Sequence, residues 1–191
     1  MALHPQVVTL LEKMAAADLK PIVEMTPPEA RVQFDTLAAT RDDQRTPVGA
    51  VEEIAVPGPA GALTVRTYRP QDAGAGALPL LVFFHGGGHV IGSLDSHDEV
   101  ARVLCAGAEC MVASVDYRLA PEHKFPAAID DAFAATQWLA ANATAVGANP
   151  NLVAVGGDSA GANIAAVVAL MARDAGGPAL VAQHLVYPVA D

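Results

Sequence analysis

The sequence predicts an α/β protein built on a mostly parallel, doubly wound sheet. Three observations carry that expectation. Short apolar runs alternate with stretches of helical periodicity from Leu80 to Val186. One run, Leu80 to Phe84, is apolar at every position, as a strand covered on both faces must be. Two runs, Leu80 to Phe84 and Leu152 to Val155, open into the glycine clusters His85-Gly86-Gly87-Gly88 and Gly156-Gly157-Asp158-Ser159-Ala160-Gly161.

Residues 1–46 read as helical. Val7, Leu10, Leu11 and Met14 recur at helical spacing and give one apolar face. Pro21 interrupts the pattern. Thr26-Pro27-Pro28-Glu29 then has the form of a capping box with proline at the first helical position. Ala30, Phe34, Leu37 and Ala38 continue that second helix, and Arg41 to Pro47 is a charged linker. The apolar stripe of this pair needs a surface to pack on, as a structural flap or as a lid over a site. The expected division is a helical cap region over 1–46 and an α/β core over 47–191.

From Val48 the period changes. Val51 to Val56 and Leu63 to Tyr68, separated by Pro57-Gly58-Pro59-Ala60-Gly61, predict an antiparallel hairpin. Ser96-His97-Asp98-Glu99 reads as a second capping box, opening a helix through Val100, Val103 and Leu104. Met111 to Val115 is a strand. Pro126 begins a helix carrying Ile129, Phe133, Trp138 and Leu139, and Asn149-Pro150-Asn151 is expected to turn into the next strand. After a helix over Ala162 to Arg173, Gly176-Gly177-Pro178 breaks the chain, and Leu180 to Val186 is a last strand.

Composition narrows the function. At 52% hydrophobic and 17% charged, the 191 residues can bury a sizeable core in one domain. The formal net charge of −10 argues against nucleic acid and anionic membranes as partners. No apolar run reaches the ~18 residues of a membrane span. The start, Met1-Ala-Leu-His-Pro-Gln6, lacks the basic and apolar regions of a signal peptide. Cys105 and Cys110 are too few for a disulfide framework and read as small core residues, so a cytoplasmic location is expected. The cysteines are five apart with no histidine pair nearby, so no metal site is expected. Gly86 to Gly88 lacks the lysine and Ser/Thr of a phosphate loop.

Strand, Gly157-Asp158-Ser159-Ala160-Gly161, helix is the context of a nucleophile elbow. The turn is sharp, so the serine hydroxyl stands clear of the sheet. Glycines at its two ends let strand and helix approach closely. The amides of Ser159 and Ala160 lie at a helix N-terminus, where partial positive charge favours an oxyanion. The bland alternative is a glycine turn that only joins strand to helix. Three glycines after a buried strand let amides face a ligand with no side chain between, and losing one oxyanion donor costs roughly 3 kcal/mol. An HGGG-type loop is the usual partner of such an elbow.

His85-Gly86-Gly87-Gly88, Asp116-Tyr117-Arg118-Leu119-Ala120-Pro121-Glu122 and Gly157-Asp158-Ser159-Ala160-Gly161 resemble the bacterial hormone-sensitive-lipase-like carboxylesterases of the α/β-hydrolase fold. The resemblance covers about Leu80 to Pro188 and extends less firmly over the N-terminal helices, which in that family form a cap. It implies Ser159 as nucleophile, with Gly86, Gly87, Gly88 and Ala160 as oxyanion donors. It also implies a small-molecule ester substrate, with a short or medium acyl chain, and no cofactor. His89 stands where the family usually has an aromatic residue.

The fold places its triad in the order Ser, Asp or Glu, His. In the family the last two follow strands later than Tyr187-Pro188, and this sequence reaches only Asp191. The 191-residue chain is therefore expected to be inactive alone and to self-associate through an exposed last strand. His89 is the one local histidine worth testing as a substitute base. His85 reads as ordering its loop, His97 as structural, and Asp116, Arg118, Glu122 and Asp158 as braces. The alternative function is a non-catalytic small-molecule binding protein on the same scaffold. The plant gibberellin receptors, which resemble this family, lack the catalytic histidine.

Overall fold

Among the described residues six strands form one sheet in the order β1-β2-β4-β3-β5-β6. They are β1 (Ala50–Gly58), β2 (Gly61–Arg69), β3 (Leu78–Phe84), β4 (Met111–Val115), β5 (Ala148–Asp158) and β6 (Ala182–Val186). The structure is a computed structural model and describes residues 3–17, 19–39, 45–74 and 76–190. The expected hairpin is there: β1 and β2 pair antiparallel, with Gly58 opposite Gly61 across Pro59-Ala60. β2 joins β4 antiparallel, and β4, β3, β5 and β6 run parallel.

Among the described residues five α-helices accompany the sheet: α1 (Pro5–Ala16), α2 (Pro27–Ala39), α3 (Asp98–Ala108), α4 (Ala127–Ala141) and α5 (Ala160–Asp174). Alternation along β3 sorts its side chains between two layers. Leu80, Val82 and Phe84 pack with Leu139, Ile164 and Val168 of α4 and α5. Leu81 and Phe83 pack with Ala101 and Cys105 of α3. Both faces of β3 are thus covered, which is why its sequence is unbroken apolar. Cys105 and Cys110 are buried and unbridged.

The strand order reverses at β3. The chain leaves β3 through α3 for β4 on one side, then crosses through α4 to β5 on the other. Loops leaving β3 and β5 therefore diverge, and the crevice between their C-terminal ends is where doubly wound sheets bind ligands. Phe84 is opposite Gly157 in that ladder, so both glycine clusters leave the sheet side by side.

Four local expectations change. Asn149-Pro150-Asn151 lies inside β5, where the register shifts as Leu78 faces Ala148 and Leu80 faces Val153. The extra residues bulge out, and the Asn149 side chain accepts from the Asn151 amide at 2.9 Å. The Ser96–Glu99 capping box does not form: His97 is the N-cap, and Ser96 turns back to Ser93. Glu99 instead takes the Thr46 amide at 2.9 Å and its hydroxyl at 2.6 Å, fastening the segment before β1 to α3. The last strand begins at Ala182, later than Leu180.

The fourth concerns α1, whose Val7, Leu11 and Met14 remain exposed rather than packed. The box at Thr26 does form, with Glu29 accepting from both the Thr26 amide and hydroxyl at 2.8 Å. Of the expected linker, Arg41, Asp42, Asp43 and Gln44 lie outside the described residues.

Candidate active site

Ser159 ends β5 and starts α5 with φ 52° and ψ −117°. A left-handed backbone at a non-glycine residue costs about 1–3 kcal/mol and persists only where the surroundings enforce it. Here the enforcement is steric. A Cβ on Gly161 would stand 2.5 Å from the His85 carbonyl oxygen and 2.6 Å from the Phe84 carbonyl carbon. A Cβ on Gly157 would stand 2.5 Å from the Gly161 carbonyl oxygen. Helix and strand can close on each other only because both positions are bare. The Ser159 amide donates to the Val186 carbonyl at 2.9 Å, so β6 occupies it and it is not a free donor. Among the described residues the Ser159 hydroxyl makes no hydrogen bond.

Each glycine of the loop after β3 has a separate reason. A Cβ on Gly86 would stand 2.9 Å from the Asp158 carbonyl oxygen. Gly87 has φ +125°, and a Cβ there would stand 2.6 Å from the Ile91 carbonyl carbon. Gly88 has φ +60° and open space beside it. The loop closes on itself as the Val90 and Ile91 amides donate to the Gly87 carbonyl, each at 3.0 Å.

Gly86 is held from both sides. Its amide donates to Asp158 Oδ1 at 2.9 Å, and its carbonyl accepts from His85 Nδ1 at 2.8 Å. The Gly86 amide is thereby committed to the residue beside the nucleophile. The amides of Gly87, Gly88 and Ala160 donate to nothing among the described residues. A helix's first turn has no intrahelical acceptor for its amides.

His85 is fully buried, stacked on Tyr117 at 4.5 Å between ring centroids. Burial pushes its pKa down to about 4, so the ring is neutral near pH 7. Donation from Nδ1 to a carbonyl fixes the tautomer and leaves buried Nε2 without a partner. His97 presents Nδ1 to the Ser96 hydroxyl at 2.9 Å and Nε2 to Asp158 Oδ1 at 3.5 Å. For Asp158, burial acts upward, but the bond from His97 and the Gly86 amide outweigh it and hold the carboxyl below its ordinary value.

The Asp116–Glu122 segment braces this arrangement. Tyr117 donates its hydroxyl to the His85 carbonyl at 2.7 Å. Arg118 makes a two-pronged pair with buried Asp131 of α4, at 2.7 Å on each prong. Glu122 pairs with Arg31 of α2, whose guanidinium holds the carboxyl down at about 2. The Ala120 amide donates to the carbonyl of His89, itself at φ 62°. His89 is half-buried, which lowers its pKa, and it has no hydrogen bond to Ser159. Sequence reasoning missed Arg31 and the link from His97 to Asp158, both of which join residues far apart in the chain.

A family model described as alpha/beta hydrolase fold matches residues 81–191. The chain belongs to that family. Within the α/β-hydrolase fold it groups with the hormone-sensitive-lipase-like carboxylesterases that its motifs resemble. It is 53% identical over 146 residues to the carboxylic ester hydrolase LipN of Mycobacterium tuberculosis, covering 74% of this chain and 38% of LipN. It is 51% identical over 152 residues to the esterase LipI of the same organism, covering 78% of this chain and 48% of LipI. The chain thus spans less than half the length of these two relatives.

Among solved structures it is similar to a hyperthermophilic esterase from Pyrobaculum calidifontis, with TM-score 0.91 and 43% identity over 99% of this chain and 60% of that one. An ester hydrolase from the metagenome of Lake Arreo, complexed with a derivative of bipyridine phosphonate, gives TM-score 0.94 at 40% identity over 100% of this chain and 61% of that one. Among the described residues no helix is long and apolar enough to cross a membrane, and no group of three or more histidine, cysteine or acidic side chains could hold a metal.

Proposed function

We propose that Ser159 is the nucleophile of a carboxylic ester hydrolase and that the amides of Gly87, Gly88 and Ala160 form its oxyanion hole. One observation supports this most. The strained Ser159 turn is locked against the same β3 end that launches the glycine loop, and among the described residues neither the Ser159 hydroxyl nor the amides of Gly87, Gly88 and Ala160 have a hydrogen-bond partner. The hydroxyl would attack the ester carbonyl and the amides would hold the negative oxygen. The alcohol would leave, and water would then release the acid from the acyl-enzyme. Of the four donors the sequence suggested, Gly86 is withdrawn from the hole because its proton already points at Asp158. The substrate is a small-molecule ester, and no cofactor enters the chemistry.

The general base and its acidic partner come from outside the described residues in this reading. His85 and His97 are tied to Gly86 and Asp158, and none of the six histidines reaches the Ser159 hydroxyl. Losing the catalytic histidine of a serine hydrolase costs about a millionfold in turnover, on the order of 8 kcal/mol of barrier. The second reading is a scaffold that binds a small molecule without cleaving it.

Labelling with an activated phosphonate, followed by mass spectrometry, tests the nucleophile. In a chain extended with a C-terminal portion that supplies Asp and His, modification is expected at Ser159 and not in a Ser159→Ala control. Turnover of a short-chain nitrophenyl ester then separates the two readings. Labelling at another residue would overturn the assignment. Strong Ser159-dependent turnover abolished by His89→Ala would show a base rebuilt locally.

A further inference from the structure

The glycine loop is fastened from a helix that supplies nothing to the chemistry. The guanidinium of Arg31, on α2, donates four hydrogen bonds. Nε reaches the Val90 carbonyl at 2.7 Å, and Nη2 reaches the Ala120 carbonyl at 2.8 Å. Nη1 and Nη2 reach the two oxygens of Glu122 at 3.0 and 2.7 Å. Val90 belongs to the tight turn closed on the Gly87 carbonyl, and Ala120 is itself bonded to His89 in the same turn. The fork therefore closes a ring: Arg31 to Val90, along the loop to His89, across to Ala120 and back. Asp35, one helical turn along, accepts the Ser93 hydroxyl at 2.8 Å at the far end of the loop.

Gly87 and Gly88 have no side chains and positive φ, so nothing of their own fixes the direction of their amides. Their orientation is set by what holds the turn. On the proposal that these amides form the oxyanion hole, we infer that Arg31 is a positioning residue, aiming the amides of Gly87 and Gly88 by pinning the Val90 and Ala120 carbonyls. Lysine cannot replace it, because one ammonium cannot span two carbonyls and a carboxylate in a fixed plane.

The test uses two readouts, the first on the 191-residue chain and the second on a form extended by a C-terminal portion that supplies the general base. The first is hydrogen exchange followed by mass spectrometry on wild type, Arg31→Ala, Arg31→Lys and Glu122→Gln. Arg173→Ala, which removes an exposed pair with Asp174, is the control. Peptides covering 85–92 and 117–123 are expected to exchange about tenfold faster in Arg31→Ala, while β3, β4 and β5 keep wild-type protection. The second readout is the saturating rate of Ser159 modification by an activated phosphonate against its reversible affinity. The rate is expected to fall about tenfold or more, less than loss of a whole oxyanion donor, with affinity unchanged. Arg31→Lys should recover only part of that rate. Glu122→Gln, which keeps both carbonyl contacts, should cost less than threefold.

Unchanged loop exchange in Arg31→Ala overturns the inference, as does faster exchange spread evenly over the sheet. An effect of Glu122→Gln as large as that of Arg31→Ala would also overturn it, by assigning the effect to the ion pair. Failure of wild type to label at Ser159 counts against the esterase reading alone. The exchange data decide the positioning role in that case.

Discussion

Asp158 accepts the Gly86 amide at 2.9 Å, so the residue before the nucleophile holds the start of the glycine loop. That bond spans two strand ends and is partly shielded from water. Removing its acceptor leaves a shielded amide unpaired at a cost of about 1–3 kcal/mol. Asp158→Ala should lose that much in urea unfolding, and Asp158→Asn, which keeps an oxygen in place, should lose less. The pH dependence has a definite sign. The folded carboxyl titrates below the unfolded one, so its contribution is present above the ordinary carboxylate range near pH 3.9 and is lost as pH falls through the folded value. Equal losses in the alanine and asparagine variants would show that the oxygen is not what matters.

Gly161 and Gly107 make opposite predictions from the same substitution. A Cβ at Gly161 collides with the backbone of Phe84, the last residue of the central strand, and of His85, which follows it, and neither can yield cheaply. Gly161→Ala should cost roughly 3 kcal/mol or more, in the range of severe core defects. Gly107 lies in α3 with nothing within 4 Å of a Cβ and no unusual φ. Gly107→Ala should stabilise by about 0.5–1 kcal/mol, the ordinary difference in helix propensity. Thermal melts of the two variants check both signs. A folded, wild-type-like Gly161→Ala would remove the steric basis for the elbow geometry.

Much of the architecture was legible because it is written in local pattern. Leu80 to Phe84 reads as a strand buried on both faces because its side chains alternate between α3 and the α4–α5 layer. The Thr26–Glu29 box could be read because its partners are three residues apart. The Ser96–Glu99 box has the same pattern but fails, since Thr46 offers Glu99 both an amide and a hydroxyl from a distant segment. At the candidate site the split is similar. Ser159 and the glycine loop are visible in sequence, but which of three glycine amides is already taken depends on Asp158 across the crevice. Arg31 looks like an ordinary exposed helix cation until folding brings Val90, Ala120 and Glu122 to it.

His85 should give the protein a stability slope in mild acid. Burial keeps the folded imidazole neutral down to about pH 4, while in the unfolded chain it takes up a proton near pH 6.5. Between those values the unfolded state binds more protons, so stability falls as pH falls from about 6.5 to 4 and then stops responding to this group. The window lies above that of Asp158, which separates the two effects. Urea unfolding across pH 4 to 7 should show a total loss on the order of a few kcal/mol from this group. His85→Gln should be less stable at pH 7 but flatter over the same window. Parallel curves for the two proteins would mean that His85 does not stay neutral.

The edge strand β6 predicts self-association of the 191-residue chain. Among the described residues it pairs only with β5, and its side chains are exposed from Ala182 to Leu185. Val181 is 58% exposed and Leu185 38%. The groove of about 510 Å³ beside it, lined by Ala169, Ala172, Leu180 and Val181 among others, leaves more apolar surface in water. An apolar edge with open ladder groups is a template for another chain, and natural edges are blunted by charge, which β6 lacks. Light scattering at about 10–100 µM, the range in which such surfaces aggregate, should show mass rising with concentration. Val181→Lys with Leu185→Lys should bring the mass back toward a monomer. Because both side chains already face solvent, the melting temperature should move little, within about 0.5 kcal/mol per site in stability. A wild-type chain that stays monomeric across that range and melts cooperatively would show that the edge is protected in a way its exposure does not reveal.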